Sequence, residues 1–502
     1  MAQTFETVGV VGLGTMGAGI AEVFARSGRR VIGVEADDAA LERGRGHLER
    51  STGRAVAKGK LTEDARREIL GRVSLTTSRA DLADADLVIE AIPEIMEFKR
   101  VLFADLDRVC KPSAVLATNT SSLSVTAIAA GTSRPGRVIG MHFFNPAPVM
   151  KLVEVIHTVV TDDGLADDIA ALARSLGKTP ITAGDRAGFV VNRLLLGYLN
   201  HACVLLEAGV AGRDDIDAAM KLGVGLPMGP FTLLDLIGLD TSYEVCEVLF
   251  RETRDRRHAP APVLRELVTA GLLGRKTGRG FHSYGEAAPA TPEARQAASV
   301  STVGIVGGGP EAETLATAVE RAGFKPVVAE SADLTPVGDA DVVLALSDRP
   351  VVELAVRLPH PERLAGLHLV GDGVAEVAST VLTSPETTAA VHDLVRILDR
   401  TPVMCGDRAE FVVNALLYAY LNDAVRMLES GYASAGDIDT GMRLGCGYPA
   451  GPLEMLDAIG LEAVRDGLRA LYAEYREPAF APVPLLDQLV TAGVRSIREY
   501  AG

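Results

Sequence analysis

A chain of 502 residues with 48% hydrophobic and 23% charged side chains can bury several cores, at about 150 residues per domain, which excludes disorder, collagen-like repeats and small disulfide scaffolds. With 66 acidic against 50 basic residues the formal charge is −16, so the chain repels nucleic acid and anionic membranes in bulk, and any anionic ligand must meet a local basic patch. Five scattered cysteines (110, 203, 246, 405 and 446), odd in number and without CxxC spacing, argue for a reducing compartment and against a metal site. No cleavable apolar segment precedes the first strand near Thr7 and no apolar run is long enough to span a bilayer, so a cytoplasmic protein without a membrane partner is expected.

Short, β-branched runs at Thr7–Val11, Arg30–Val34, Asp86–Ile92, Ser113–Thr118 and Arg137–Phe143 have the texture of buried parallel strands. Helical periods separate them, as at Ala18–Ser27 and Glu97–Val109, and repeated βα units predict a doubly wound parallel sheet over 1–184. From 185 to 284 the pattern becomes helical, with expected helices at Val190–Ala208, Asp214–Gly223, Pro230–Arg251 and Pro262–Ala270. The segment 285–300 is rich in Ala, Pro and Glu and reads as a linker.

The chain then repeats. At a constant offset of 222, the stretches 185–239 and 407–461 are identical at more than half of their positions. Upstream, VGVVGLG at 8–14 is matched by VGIVGGG at 303–309, an offset of 295, so the second copy is shortened between its first strands and its helices. The expected fold is a Rossmann-like α/β domain followed by an all-α domain, tandemly duplicated, with a degenerate Rossmann-like half at 301–400 and a second helical domain at 401–502.

Gly12, Gly14 and Gly17 form a GxGxxG between a strand and a helix, with Glu35 closing the next strand. The pattern supplies a tight turn, backbone access for pyrophosphate and close helix packing, with Glu35 as acceptor for ribose hydroxyls. Ala36, Asp37 and Asp38 offer no cation to a 2′-phosphate, which favours NAD over NADP. Asn119-Thr120-Ser121-Ser122 ends a parallel strand, where hydroxyls face the ligand crevice; a helix cap is an equal reading of the same residues. His142 lies between hydrophobic strands, and Glu154 sits in the apolar run Leu152–Ile156. A His–carboxylate pair accounts for both, with the acid fixing the tautomer of a general base.

GLGTMGAGIA, NTSSL, GMHFFNPAPVMKLVEV, GFVVNR and GLLGRKTGRGF, in this order over 5–284, resemble the 3-hydroxyacyl-CoA dehydrogenase family, and the tandem layout resembles fused bacterial forms acting on 3-hydroxybutyryl-CoA or 3-hydroxyadipyl-CoA. The resemblance implies NAD as cofactor, an acyl-CoA substrate, His142 as base with Glu154 as partner, and Ser121 and Asn192 bonding the reacting oxygens. It also implies cofactor contacts at Glu94 and Lys99 and coenzyme A contacts at Ser51 and Lys58, where Arg54, Lys58 and Lys60 form a small basic cluster in an acidic chain. The second copy has Ala312 for the third glycine, Ala345 for Glu90 and no NTSS, so most of the catalytic set is expected to be lost there, although His368 and Glu376 echo the first pair and Asn414 matches Asn192. Persistence of that asparagine favours a partly structural role for it. The two helical copies are expected to pack as an intrachain pseudo-dimer. Two rival readings are a 3-hydroxyisobutyrate-type dehydrogenase, with Lys221 as the only nearby lysine, and a non-catalytic NAD-binding relative.

Overall fold

The computed structural model describes residues 4–285 and 300–501; most of the expected linker, 286–299, lies outside the described residues. The first half builds a sheet from β1 (Thr7–Val11), β2 (Arg30–Val34), β3 (Val73–Thr76), β4 (Leu87–Glu90), β5 (Val115–Thr118), β6 (Val138–Phe143), β7 (Leu152–His157) and β8 (Thr179–Gly184). Their order is β3-β2-β1-β4-β5-β6-β7-β8, parallel except for the antiparallel pair β6–β7. Strands β1, β4 and β5 are buried throughout, which explains their unbroken apolar runs. The order reverses at β1, so a crevice opens beyond the carboxyl ends of β1 and β4.

The second half repeats a reduced version of this sheet. Strands β9 (Thr302–Val306), β10 (Lys325–Ala329), β11 (Val342–Leu346), β12 (Leu364–Val370), β13 (Val374–Ser379) and β14 (Thr401–Gly406) run in the order β10-β9-β11-β12-β13-β14, with β12–β13 antiparallel. Register fixes the correspondence: Val11 pairs with Glu90, and Val306, its equivalent at the upstream offset, pairs with Ala345. In the first sheet β5 separates β4 from β6, whereas β11 bonds directly to β12. The second sheet therefore has no counterpart of β3 or of β5, the strand that delivers Asn119–Ser122.

Each sheet feeds a helical layer, led by Val191–Glu207 and Val413–Glu429. The single helix expected over Pro230–Arg251 is two, Pro230–Ile237 and Leu239–Thr253, because Gly238 takes φ +102°, which stops the first and starts the second. Contacts between the layers are reciprocal at the offset of 222. Gly184 N–H donates to Tyr432 O (3.0 Å) and Gly406 N–H to Val210 O (2.8 Å); bridges join Ala183 to Ala433 and Cys405 to Ala211. Tyr198 meets Tyr420 at 6.0 Å between ring centroids, so these offset-matched residues lie on the local two-fold relation. One continuous apolar core runs through both layers, from Leu194 and Tyr198 to Leu416 and Leu453. The five cysteines are free, and no helix among the described residues is long and apolar enough to cross a membrane.

Candidate active site

The glycine turn after β1 has the shape the motif demands. Gly12 has φ +88°, and a Cβ on Gly17 would lie 1.7 Å from Gly12 O, so the helix Thr15–Arg26 can pack this closely only without a side chain. A Cβ on Gly14 would meet nothing within 4 Å, which leaves its backbone open to the crevice. Glu35 stands beside this turn and accepts from Leu13 N–H at 2.6 Å. An open amide turn at a helix start, with an acid at the end of β2, fits a dinucleotide whose ribose keeps its 2′-hydroxyl.

Next to the turn, Glu94 organises the loop after β5. One of its carboxylate oxygens accepts from Thr120 Oγ1 (2.5 Å), Ser121 N–H (2.8 Å) and Ser122 N–H (3.2 Å), with Ser121 Oγ at 3.3 Å. Burial opposes ionisation of Glu94, but the Lys99 ammonium and these hydrogen bonds outweigh it and hold the carboxyl below its ordinary value. Lys99 itself is only 1% exposed and lies between Glu90 (2.6 Å) and Glu94 (3.2 Å). It therefore supports the loop from beneath rather than reaching into the crevice, which changes the contact expected of it. Glu90, fully buried, also accepts from Thr118 Oγ1 and Ile92 N–H. Asn119 is used structurally: its Oδ1 accepts from Phe143 N–H at 2.8 Å and ties β5 to β6.

The antiparallel pairing of β6 and β7 puts His142 opposite Glu154, with Nδ1 and Oε2 2.7 Å apart. The other carboxylate oxygen accepts from Val190 N–H (3.1 Å) and Val191 N–H (3.0 Å), which start the helix Val191–Glu207. A carboxylate at Nδ1 places the proton there and leaves Nε2 as the acceptor. His142 is 7% exposed, walled by Phe144 (4.6 Å) and Phe189 (5.8 Å between centroids). Phe189 has φ +47°, a conformation costly for a bulky residue, and sequence reasoning missed it because nothing in GFVVNR marks a left-handed phenylalanine. Asn192, one residue beyond the Glu154 anchor, reaches Ser121 O through Nδ2 at 3.4 Å. The fold thus brings Ser121, Asn192, His142 and Glu154 to one place, with Glu94 and the glycine turn alongside. Ser51 and Lys58 lie apart, on and just after the helix Asp38–Ala57, with Lys58, Arg54 and Lys60 exposed. Lys221 is exposed on the turn Ala219–Gly223, whose last residue abuts Val370 and Val413 of the second half, so the lysine-based rival has no support in this arrangement.

In the second half the echo of the first pair that the sequence shows is also a contact. His368 faces Glu376 at 2.6 Å, and Glu376 accepts from Val412 and Val413 N–H, both at 2.9 Å, as Glu154 does from its own helix. Burial disfavours the charged imidazole, but Glu376 outweighs it and raises the His368 pKa. Around this pair the rest is gone. Ala345 replaces Glu90, and Asn414 donates to Glu410 (2.8 Å), a residue standing where the first half has Gly188.

A doubly wound nucleotide-binding sheet with a histidine–carboxylate pair beside its glycine turn defines an NAD-dependent oxidoreductase. The 3-hydroxyacyl-CoA dehydrogenase NAD-binding domain matches residues 7–186, and the C-terminal domain of the same family matches twice, at 188–284 and 411–499. The chain is 36% identical over 501 residues to the 3-hydroxyadipyl-CoA dehydrogenase of Escherichia coli K12, covering 99% of this chain and 100% of that one. It is 49% identical over 276 residues to a probable 3-hydroxybutyryl-CoA dehydrogenase of Deinococcus radiodurans, covering 55% of this chain and 99% of the relative. A crystal structure of 3-hydroxybutyryl-CoA dehydrogenase from Escherichia coli K12 superposes with a TM-score of 0.83 at 34% identity, covering 98% of this chain and all of that one. The chain belongs to the 3-hydroxyacyl-CoA dehydrogenase family, and its reaction is the NAD-dependent oxidation of 3-hydroxyacyl-CoA.

Proposed function

We propose that this protein oxidises short-chain (3S)-3-hydroxyacyl-CoA thioesters, 3-hydroxybutyryl-CoA or 3-hydroxyadipyl-CoA, at a single site in its first half, in the cytoplasm, where its five free thiols stay reduced. The observation that carries this reading is the His142–Glu154 pair, anchored by the helix that presents Asn192 to Ser121. When bound, NAD supplies the hydride acceptor. Gly12 and Gly14 would hold its pyrophosphate, with Gly17 letting the helix approach, Glu35 would hold its adenosine ribose, and Glu94, supported by Lys99, would meet the nicotinamide ribose. His142 Nε2 takes the proton of the C3 hydroxyl as C3 becomes a ketone. Glu154 stabilises the imidazolium that forms, and Ser121 Oγ and Asn192 Nδ2 bond the C3 oxygen as its charge changes. Ser51 and Lys58 meet coenzyme A, with Arg54 and Lys60 adding positive charge for its phosphates.

The second half is read as the product of tandem duplication, with domains at 1–184, 185–284, 301–400 and 401–502. Its helical layer takes the place of a partner subunit, and the reciprocal contacts at an offset of 222 support this. The test is NADH formation from 3-hydroxybutyryl-CoA by the full chain and by His142→Gln. Loss of a general base lowers kcat by about 10²–10⁴. A variant that keeps half its activity refutes the assignment.

A further inference from the structure

The second half buries an acid where the first has a glycine. Glu410 is 5% exposed and takes φ +61°, followed by Phe411 at φ +52°; at the offset of 222 they correspond to Gly188 at φ +73° and Phe189 at φ +47°. Glycine adopts the left-handed backbone freely, whereas glutamate does so at a cost. A second irregular choice fits the first. Gly467 lies inside the helix Leu461–Tyr475, where the first half has Val245, and a Cβ there would come within 2.4 Å of Tyr418 Cε2 and 2.9 Å of Glu410 Oε1. A glycine in a helix interior is also costly, and here it makes the room that the Glu410 and Tyr418 side chains occupy.

The carboxylate so placed has specific partners. Its Oε2 accepts from Asn414 Nδ2 at 2.8 Å, and Asn414 corresponds to Asn192, whose Nδ2 is proposed to meet the C3 oxygen of the substrate. The Glu410 N–H donates to Asp348 O at 2.8 Å, which pins the main chain to the loop after β11. Glu376 holds His368 through Nδ1, as Glu154 holds His142, and leaves Nε2 as an acceptor in the neutral ring and a second donor in the charged one. Burial opposes the charged ring, and Glu376, Glu410 and Glu311 together outweigh it. Burial also lifts the Glu410 pKa to about 6; Asn414 and the His368 cation pull it down, while Asp348 and Glu376 add to the rise.

The first half provides an internal control. There position 188 is a glycine with no side chain to offer His142 or Asn192, and Asn192 Nδ2 makes a long bond of 3.4 Å to Ser121 O. That arrangement leaves the histidine and the amide for an external oxygen. The second half gives the equivalent groups an oxygen of its own. Packing alone does not call for glutamate at a left-handed position that glycine fills in the other half, with a helix glycine opposite to receive it. A buried histidine and amide that must be satisfied without substrate do call for it.

We propose that Glu410 is a built-in ligand of the second half's histidine site: its carboxylate, held by Asn414 in electrostatic reach of His368, takes the place that the first half keeps open for the C3 oxygen of the substrate. The second half is thereby closed to acyl-CoA by its own chain, and its polar groups stay paired with no ligand. The inference rests on the proposed roles of His142 and Asn192 and extends to a site that the reaction does not use. It also accounts for the persistence of His368, Glu376 and Asn414 where the NTSS loop and the third glycine are gone. With Glu410 they form a closed network, and removing one member strands a buried polar group.

The test follows the His368 ring by NMR titration of the full chain, with His368→Gln to assign its signal. Glu410→Gly restores the first-half residue and removes the left-handed glutamate; Glu410→Gln keeps the side-chain shape and an acceptor for Asn414. His368 should titrate at lower pH in both variants than in the wild type. Acetate, the probe, should raise the His368 titration of Glu410→Gly saturably and leave the wild type and Glu410→Gln unmoved, because the glycine alone opens the position. 3-Oxobutyryl-CoA should bind the wild type at one site per chain. A His368 titration unchanged in both variants overturns the proposal, as does one that acetate shifts in the wild type. A folded Glu410→Gly that ignores acetate, or a second 3-oxobutyryl-CoA site in the wild type, overturns it too. If Glu410→Gly does not fold, the titration of Glu410→Gln decides. No NADH from wild-type enzyme with 3-hydroxybutyryl-CoA or 3-hydroxyadipyl-CoA would overturn the underlying reading, and this inference with it, whereas the other failures leave that reading intact.

Discussion

Replacing Glu154 with glutamine keeps the side-chain shape and changes the chemistry. Glu154 is fully buried and accepts three hydrogen bonds, one from His142 and two from the main chain at Val190 and Val191. A glutamine can turn its carbonyl toward the two amides, but its NH₂ then faces His142 Nδ1. Two donors cannot share that 2.7 Å contact, so the imidazole must move its proton to Nε2, the atom proposed to receive the substrate proton. Loss of base catalysis and of carboxylate stabilisation of the imidazolium should lower kcat about 10²–10⁴. Stability should fall by only about 1–2 kcal/mol, because the amide bonds survive. Glu376→Gln is the matched control, disturbing the same three contacts in the second half. It should cost similar stability and leave kcat within about twofold. The assay is NADH formation at saturating NAD and 3-hydroxybutyryl-CoA, with urea unfolding of both variants alongside. A Glu154→Gln loss below about fivefold refutes the reasoning, as does a loss that multiplies with that of His142→Gln, since residues acting in one step are not additive.

Cofactor choice follows from Glu35 and the acids after it: NAD should be preferred over NADP by at least about tenfold in kcat/KM, with Glu35→Ser combined with Ala36→Arg narrowing the gap, and equal values would contradict Glu35's role. Burial lowers the pKa of His201 and of His258 from 6.5 to about 4. The unfolded chain then takes up protons that the fold refuses, so stability is level above about pH 6.5 and declines towards pH 4, by about 2 kcal/mol per histidine at pH 5. Urea midpoints at pH 7.5 and 5 should show the decline, His201→Phe should reduce it, and an undiminished slope in that variant would refute the assignment. A chain ending at Ser283 exposes the face carrying Tyr198 and should self-associate or aggregate, as sedimentation would show, whereas a soluble monomer would contradict the proposed pairing; titration should give one NAD per full chain.

The parts of the fold carried by period and spacing were legible in advance. Unbroken apolar strands, the glycine turn and the βα alternation placed five of the eight strands of the first sheet but not β3, β8 or the antiparallel pairing of β6 with β7, and two oddities, a histidine and a glutamate within apolar runs, located the pair. What sequence hid was tertiary. Lys99 is a cofactor contact in the family resemblance, but in the fold it is buried between Glu90 and Glu94, which make that burial tolerable. Gly238 reads as one helical residue among many, yet its left-handed backbone splits a helix. The His368–Glu376 pair was visible, but its closer spacing in sequence obscured that a shorter antiparallel hairpin restores the same register.

The persistence of a second half that lacks the third glycine of the turn has a physical cause beyond covering an apolar face. The positive φ of Phe189 stores strain where the domain-linking turn presents Val190 and Val191 to Glu154. Tyr432 from the second half donates its hydroxyl to Phe189 O, and Gly441 and Gly445 pack so closely on Val190 and Val191 that added Cβ atoms would come within 3.2 Å and 3.0 Å. The second half therefore braces the turn that holds the histidine–carboxylate pair. In the reverse direction Gly223 abuts Val413, but the hydroxyl bond is missing, because Val210, the residue corresponding to Tyr432, has no hydroxyl to offer Phe411 O. A hydroxyl spent on one side of a two-fold relation, and missing on the other, is the pattern expected when both halves pack but only one must hold a reactive geometry.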